Sequence, residues 1–134
     1  MRTNLENQKI VDFFEFNLEP YELDLEGWGR VDFYAYHNNV LVLIEVEKGQ
    51  KHPNTNVLKL WPYIEENPHQ KIFLIHVIRN ENKAPKNRLA LCEFTGKKLE
   101  NIFPTQFSYM IIKGNPWDYP NTNEEIKKRL ESLI

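Results

Sequence analysis

The most informative segment of the chain, residues 30–47, reads RVDFYAYHNNVLVLIEVE. Two runs rich in β-branched and aromatic residues, 30–37 and 40–47, are separated only by Asn38 and Asn39. Because asparagine tolerates positive φ, an Asn-Asn pair between two such runs predicts a two-residue hairpin turn. We therefore expect two antiparallel strands that are joined at this turn.

A two-residue turn sets which residues of the two strands face each other. Counting back from the turn places Asp32 opposite Glu45, and the same count places Arg30 opposite Glu47. Side chains alternate along a strand, so these four residues share one face. That face also carries Tyr34, Tyr36, Leu41 and Leu43, whereas the other face, which we expect to be core, carries Val31, Phe33, Ala35, Val42, Ile44 and Val46.

The acidic end of the first face is a candidate metal site. Like charges directly opposed on two strands are destabilising, and a divalent cation would turn that repulsion into attraction. Mg²⁺ prefers one or two carboxylates together with water and phosphate oxygens, so Asp32, Glu45 and Glu47 are predicted ligands for Mg²⁺, with Mn²⁺ as a substitute. Two simpler interpretations remain open: a solvated acidic pair, or a cross-strand ion pair between Arg30 and Glu47.

The remaining segments predict a mixed α/β fold. Thr3 and Glu6 have the spacing of a capping box, Pro20 is expected to stop the first helix, and Pro62 is expected to kink a later one. Strands that are joined through a helix should lie parallel, with helices on both faces of the sheet. We expect one three-layer domain over residues 1–134, with an αβββαβ core and C-terminal α/β additions. The predicted segments are a helix over 3–18, an extended segment at 21–25, helices over 54–66, 85–100 and 122–134, and strands over 71–79 and 107–113.

Composition excludes several classes of protein. The chain has 134 residues, a net charge of −2 and one cysteine, Cys92, so neither a disulfide framework nor a cysteine cluster for zinc is expected. No apolar run approaches the length of a membrane span, and the N-terminus lacks the pattern of a signal peptide, so we expect a cytoplasmic location and no membrane partner. Bases are enriched between Lys71 and Lys98, where a nucleic-acid backbone is expected to bind.

A family resemblance rests on the order of these elements and on two short motifs. The motifs are Gly29-Arg30-Val31-Asp32-Phe33 and Val42-Leu43-Ile44-Glu45-Val46-Glu47-Lys48. A helix, a three-stranded meander, a crossover helix and a parallel strand, with an acid on the second strand and an acid pair on the third, resemble the PD-(D/E)XK nuclease superfamily. The resemblance covers about residues 3–79, and the chain matches a Glu-x-Glu variant.

The resemblance implies Mg²⁺-dependent hydrolysis of phosphodiester bonds in DNA, with Asp32 and Glu45 as the metal-binding acids. Val31 replaces the proline of the motif, and Glu47 stands where lysine is usual. Lys48, or Lys59 on the following helix, is the implied substitute for that lysine, although a solvated helix residue is the simpler interpretation of Lys59. The alternative function is an inactive module of the same fold that binds protein or nucleic acid. An RNA substrate would require the same site, and the small core favours a homodimer or a partner protein.

Other residues are weaker candidates. Glu15 is either a further metal ligand or, more simply, a surface residue. His76 is expected to be a hydrogen-bonded core residue, and Cys92 a small buried apolar residue. The tryptophans are expected in the core, with stacking platforms as the alternative. Turn or cap chemistry is expected for four polar residues after the acidic strand; the alternative is that the histidine approaches the site and the other three contact a phosphate or base. These residues are Trp28, Trp61 and Trp117, and Gln50, His52, Asn54 and Asn56.

Overall fold

The computed structural model describes residues 5–48, 52–79 and 84–134. The described elements, in chain order, are α1 (Leu5–Phe13), β1 (Leu23–Asp24), β2 (Arg30–Val31), β3 (Phe33–His37), β4 (Val40–Glu47), α2 (Thr55–Leu58), α3 (Leu60–Glu66), β5 (Lys71–Ile78), α4 (Lys86–Ile102), β6 (Phe107–Lys113), a 3₁₀ turn (Pro116–Asp118) and α5 (Thr122–Leu133). None of the helices within these ranges is long and apolar enough to cross a membrane.

The central sheet has four strands in the order β3-β4-β5-β6. β3 and β4 are antiparallel, with Phe33 opposite Ile44 and His37 opposite Val40, so the predicted register is confirmed over this part of the hairpin. Asn38 and Asn39 have φ values of 47° and 68°, the left-handed pair that a tight hairpin turn requires. β5 and β6 are then added parallel to β4, as the crossover helices predict.

Helices cover both faces of this sheet, which confirms the three-layer α/β architecture. On one face, α1 and α5 pack on the even-numbered residues of β4, such as Val42 and Ile44. On the other face, α2, α3 and α4 pack on the odd-numbered residues, such as Leu41 and Leu43. β4 and β5 are buried on both faces, which is why both read as nearly continuous apolar runs.

The first predicted meander strand does not join this sheet. β1 pairs only with β2, in a separate two-stranded ladder, and the chain bends at Asp32 between β2 and β3. Because of this bend, Val31 lies in the core under α2, whereas Phe33 lies in the core on the opposite face. The prediction that Val31 and Phe33 share a face was therefore wrong, since it assumed unbroken alternation through Asp32.

The first helix is shorter than predicted. It ends at Phe13, and Glu15 follows with a left-handed φ of 57°. Phe14, Phe16 and Leu18 then pack on the core at every second residue, as in an extended chain. The predicted helix over 3–18 includes these apolar residues because they follow a helical segment without a break, but their period in the structure is two. The predicted cap at Thr3 lies outside the described residues.

The predicted helix over 54–66 is interrupted at Lys59 and forms two short helices. Pro62 has no N–H to donate to the carbonyl of Leu58, and its ring crowds that carbonyl, so a continuous helix cannot pass this point unchanged. In α3, Pro62 instead lies in the first turn, where no N–H is needed. The interruption, predicted as a kink at Pro62, falls one turn earlier and leaves Lys59 at the junction.

Candidate active site

Glu45 and Glu47 lie near the carboxyl end of β4, on the face that α2 and α4 cover. β4 is a central strand, and its parallel neighbour places His76 beside Glu45. Both carboxyl groups are buried: Glu45 is 9% exposed and Glu47 is fully buried. The partners of these two acids matter for stability, because an unpaired buried charge is costly.

Lys59 is the partner of Glu45. Its Nζ lies 3.2 Å from Glu45 Oε1, and both side chains are only 11% exposed. The same ammonium donates to Asn56 Oδ1 at 2.8 Å and to the carbonyl of Arg30 at 2.7 Å. An ammonium has three hydrogens, so these three acceptors satisfy it completely. The simpler interpretation of Lys59, a solvated helix residue, was wrong.

The environment of Glu45 raises the pKa of its carboxyl group to about 7. Burial is the largest cause, and the neighbouring carboxylates of Glu47 and Asp32 act in the same direction. Lys59 opposes them through its charge and its hydrogen bond. Glu45 therefore changes its ionisation near neutral pH, which is unusual for a glutamate and typical of functional sites.

Glu47 is held by a second set of contacts. Its Oε1 lies 2.9 Å from His76 Nε2 and also accepts a hydrogen bond from the Asn56 amide. The other ring nitrogen of His76 lies 2.9 Å from the Tyr109 hydroxyl. A ring protonated on Nε2 donates to Glu47 and accepts the hydroxyl hydrogen of Tyr109. The core role of His76 is confirmed, and no ion pair between Arg30 and Glu47 occurs.

One oxygen of Glu47 has no partner. Glu47 Oε2 is buried and accepts no hydrogen bond from any residue that the structure describes. A buried carboxylate oxygen without a donor is unfavourable. The oxygen is also the kind of hard ligand that Mg²⁺ prefers.

Asp32 lies at the bend between β2 and β3 rather than in a ladder opposite Glu45. The predicted cross-strand pair was therefore wrong in detail, because β2 forms its ladder with β1 and not with β4. Asp32 is nevertheless close enough to Glu45 to raise its pKa. Lys48 lies just beyond the end of β4 with an exposed side chain, and the lysine that reaches Glu45 is Lys59.

The donor set suits Mg²⁺ only in part. Within residues 5–48, 52–79 and 84–134, no group of three acidic, histidine or cysteine side chains is close enough to hold a metal ion together. Mg²⁺ commonly uses one or two carboxylates and completes its shell with water and substrate oxygens. Glu45 with Asp32, or with the unpartnered oxygen of Glu47, meets that smaller requirement.

A cleft of about 510 Å³ opens beside this network. One wall is the end of the β1–β2 hairpin, with Trp28 and Arg30, and the other wall is α2 and the junction that follows it, with Asn56 and Lys59. Asn56 and Lys59 thus line the cleft and also contact the two glutamates. The expectation of turn or cap chemistry for Asn56 was wrong, because its amide instead joins Glu47 to Lys59.

The described bases between Lys71 and Lys98 do not form one surface, and Lys83 lies outside the described residues. Arg79, just after β5, and Arg88, in the first turn of α4, lie near the carboxyl ends of the parallel strands, where Glu45 also lies. Lys71 begins β5 at the amino end of the strand. Lys98 lies about three turns along α4, away from the carboxyl ends of the strands. The predicted backbone-binding surface is therefore divided between two ends of the molecule.

The weaker candidates differ in their outcome. Cys92 is buried, as predicted, whereas Trp28 and Trp117 are 46% and 39% exposed, so the core prediction was wrong for both. Glu15 is exposed at the turn after α1. His52 and Asn54 belong to the turn before α2, as predicted, and Gln50 lies outside the described residues. Trp61 is partly buried and packs against the core.

No protein-family model, curated protein or solved structure matches this chain.

Proposed function

We propose that this protein is a metal-dependent nuclease that hydrolyses phosphodiester bonds in DNA. The observation that supports this most strongly is the contact between the buried Glu45 and Lys59, a residue that lines the open cleft. A buried carboxylate, a second carboxylate two residues along the strand and a lysine that touches the first form the set of groups that the nuclease resemblance implies. The lysine comes from the junction of α2 and α3 instead of from β4.

In this proposal Asp32 and Glu45 hold Mg²⁺, and the unpartnered oxygen of Glu47 is available to the same ion. The ion, when bound, would polarise a phosphodiester and make bound water acidic. Because Asn56 and the carbonyl of Arg30 orient the ammonium of Lys59, its positive charge is held in one position, from which it can stabilise the negative charge of a bound phosphate. Arg30 contributes an exposed positive charge at the mouth of the cleft.

Glu47 has a supporting role in this account. Its first oxygen is fixed by His76 and Asn56, so the carboxylate cannot rotate freely. The same Asn56 accepts from Lys59, so the two glutamates and the lysine are joined by one amide. A rigid network of this kind keeps catalytic groups in one geometry, which is a general requirement of efficient sites.

A second function, a non-catalytic binding module, is favoured by one specific observation. Lys59 has all three hydrogens satisfied, and Glu47 is already bonded through one oxygen, so much of the network is complete without a ligand. Such a network can be a purely structural device. In this case the cleft would bind its partner without any metal-dependent chemistry.

The test is a cleavage assay at pH 8, where Glu45 is ionised, with labelled DNA and either Mg²⁺ or Mn²⁺. We expect cleavage that EDTA abolishes, and a loss of at least about 100-fold in Asp32→Asn, Glu45→Gln and Lys59→Met. Lys98→Met, an exposed lysine on α4, is the matched control and should cleave normally. Wild-type protein that binds Mn²⁺ but cleaves neither DNA nor RNA would favour the binding module. Cleavage that persists in EDTA would contradict the nuclease.

The proposed nuclease acts as a homodimer or with a partner protein, because a domain of this size has little surface with which to contact a duplex. We also infer a cytoplasmic location. The single cysteine is buried and no disulfide is present among the described residues, which is typical of proteins from a reducing compartment.

A further inference from the structure

We propose that the cleft beside Lys59 binds one unpaired nucleotide of a DNA strand, with its base stacked on Trp28. This proposal rests on the proposed function, which identifies the polymer as DNA. It goes further in naming a single-stranded segment as the ligand and Trp28 as the residue that selects it.

Trp28 is exposed but held in place. Its indole is 46% exposed, and its Nε1 donates to Glu66 Oε1 on α3 at 3.1 Å. The indole has no other hydrogen-bonding group, so this single contact satisfies it and fixes the edge of the ring. A large aromatic residue that is fixed at one edge and open to solvent loses little conformational entropy when a planar ligand stacks on it.

The segment that carries Trp28 is also rigid. The β1–β2 hairpin is closed by a hydrogen bond from the Leu25 amide to the Gly29 carbonyl at 2.8 Å. Gly29 has a φ of 132°, and a Cβ there would lie 3.3 Å from the side chain of Lys59. Lys59 donates to the carbonyl of Arg30 at 2.7 Å, so the hairpin is tied directly to the junction of α2 and α3. Both walls of the cleft therefore belong to one rigid unit.

The chemistry of the cleft suits a nucleotide. Trp28 and Leu58 offer apolar surface, whereas Arg30 and Lys59 offer positive charge, and none of the described residues that line the cleft is acidic. Stacking of a base on an aromatic ring, combined with attraction of the backbone to basic groups, is the general mode by which proteins bind single strands. Arg30 makes no hydrogen bond or ion pair through its guanidinium with the described residues, so it is available to a phosphate.

The size of the cleft favours an unpaired nucleotide over a duplex. Its volume of about 510 Å³ is in the range of pockets that hold one small ligand. Bases inside a duplex are stacked on each other and expose no face to an indole, so a duplex would have to extrude a base first. A strand end, a gap or a flap presents such a base without that cost.

The test measures binding of a fluorescein-labelled dT₁₂ strand to the full chain in EDTA, by fluorescence anisotropy. Without metal no cleavage occurs, so the result does not depend on the nuclease activity. We expect Trp28→Ala to bind about tenfold or more weakly, and Trp28→Phe, which keeps an aromatic face, to bind within about threefold of wild type. Trp117→Ala, an exposed tryptophan outside the cleft, should bind normally.

A second measurement follows Trp28 directly and does not depend on the stability of Trp28→Ala. In the Trp61→Phe/Trp117→Phe background, Trp28 is the remaining tryptophan, and dT₁₂ should quench its fluorescence more than a blunt twelve-base-pair duplex does. The cleft assignment is overturned if wild type does not bind dT₁₂, if Trp28→Ala binds it normally, or if the quenching is absent. Metal-dependent cleavage with unaltered binding by Trp28→Ala would contradict this assignment alone, whereas dT₁₂ binding through Trp28 without cleavage would contradict only the nuclease.

Discussion

Lys59, at the junction of two short helices, donates to the buried carboxylate of Glu45 on the central strand β4, with 3.2 Å between Nζ and Oε1. The two residues are 14 positions apart in the chain. This contact neutralises an acid that would otherwise be costly to bury, and its cation belongs to a residue that lines the cleft beside the hairpin.

The first prediction concerns pH. The pKa of Glu45 is raised from 4.5 to about 7 in the folded protein, so folding favours its protonated form. The contribution of Glu45 to the free energy of unfolding is therefore largest below pH 4.5 and falls as the pH rises to about 7, by on the order of 3 kcal/mol. Urea denaturation of wild type and Glu45→Gln between pH 4 and 8.5 measures this contribution as the difference between their free energies of unfolding. A pH-independent difference would show that the pKa is not raised.

The second prediction concerns Lys59. Lys59→Met leaves the ionised Glu45 buried without its cation, which should lower the free energy of unfolding at pH 8 by about 3–5 kcal/mol. At pH 5, where Glu45 is protonated, the cost should be much smaller. Lys98→Met, measured in parallel, controls for the general effect of losing a surface charge. An equal cost of Lys59→Met at both pH values would contradict the ion pair.

The third prediction separates the two hydrogen bonds of His76. Tyr109→Phe removes only the hydroxyl and should cost about 1 kcal/mol. His76→Phe also removes the donor to the fully buried Glu47, so it should cost at least about 3 kcal/mol in urea denaturation at neutral pH. Equal costs for the two variants would mean that the contact between His76 and Glu47 contributes little.

The fourth prediction concerns Gly96, a buried glycine in the middle of α4. A Cβ at this position would overlap the ring of Tyr109. Although alanine is the better helix former by about 1 kcal/mol, Gly96→Ala should therefore destabilise the protein by about 1–3 kcal/mol. Lys97→Ala, on the exposed neighbouring residue, is the control. Stabilisation by Gly96→Ala would show that α4 and β6 are farther apart than described.

The local pattern of apolar and turn-forming residues was sufficient to predict much of the fold. The Asn38-Asn39 turn set the register of β3 and β4, and the uninterrupted apolar run of 71–78 identified a strand that is buried on both faces. The bend at Asp32 could not be predicted in this way. It depends on whether β2 pairs with β1 or with β4, and that choice is made by competition between distant segments.

The same limit applies to the site. The alternation of side chains along a strand is sufficient to predict that Glu45 and Glu47 share a face, and both are buried in the structure. Their partners do not follow from it, because His76 reaches Glu47 only through the register of two parallel strands that are joined by a helix. Lys59 reaches Glu45 because the helix is interrupted there, and the sequence signal for that interruption, Pro62, lies three residues away.

Titration of Mn²⁺ into the metal-free protein at pH 8, by isothermal calorimetry, tests metal binding by the acidic cluster most directly. We predict saturable binding of Mn²⁺ by wild type and by Lys98→Met, and its loss in both Glu45→Gln and Asp32→Asn. Absence of binding by wild type, or binding that Glu45→Gln leaves unchanged, would contradict the metal site.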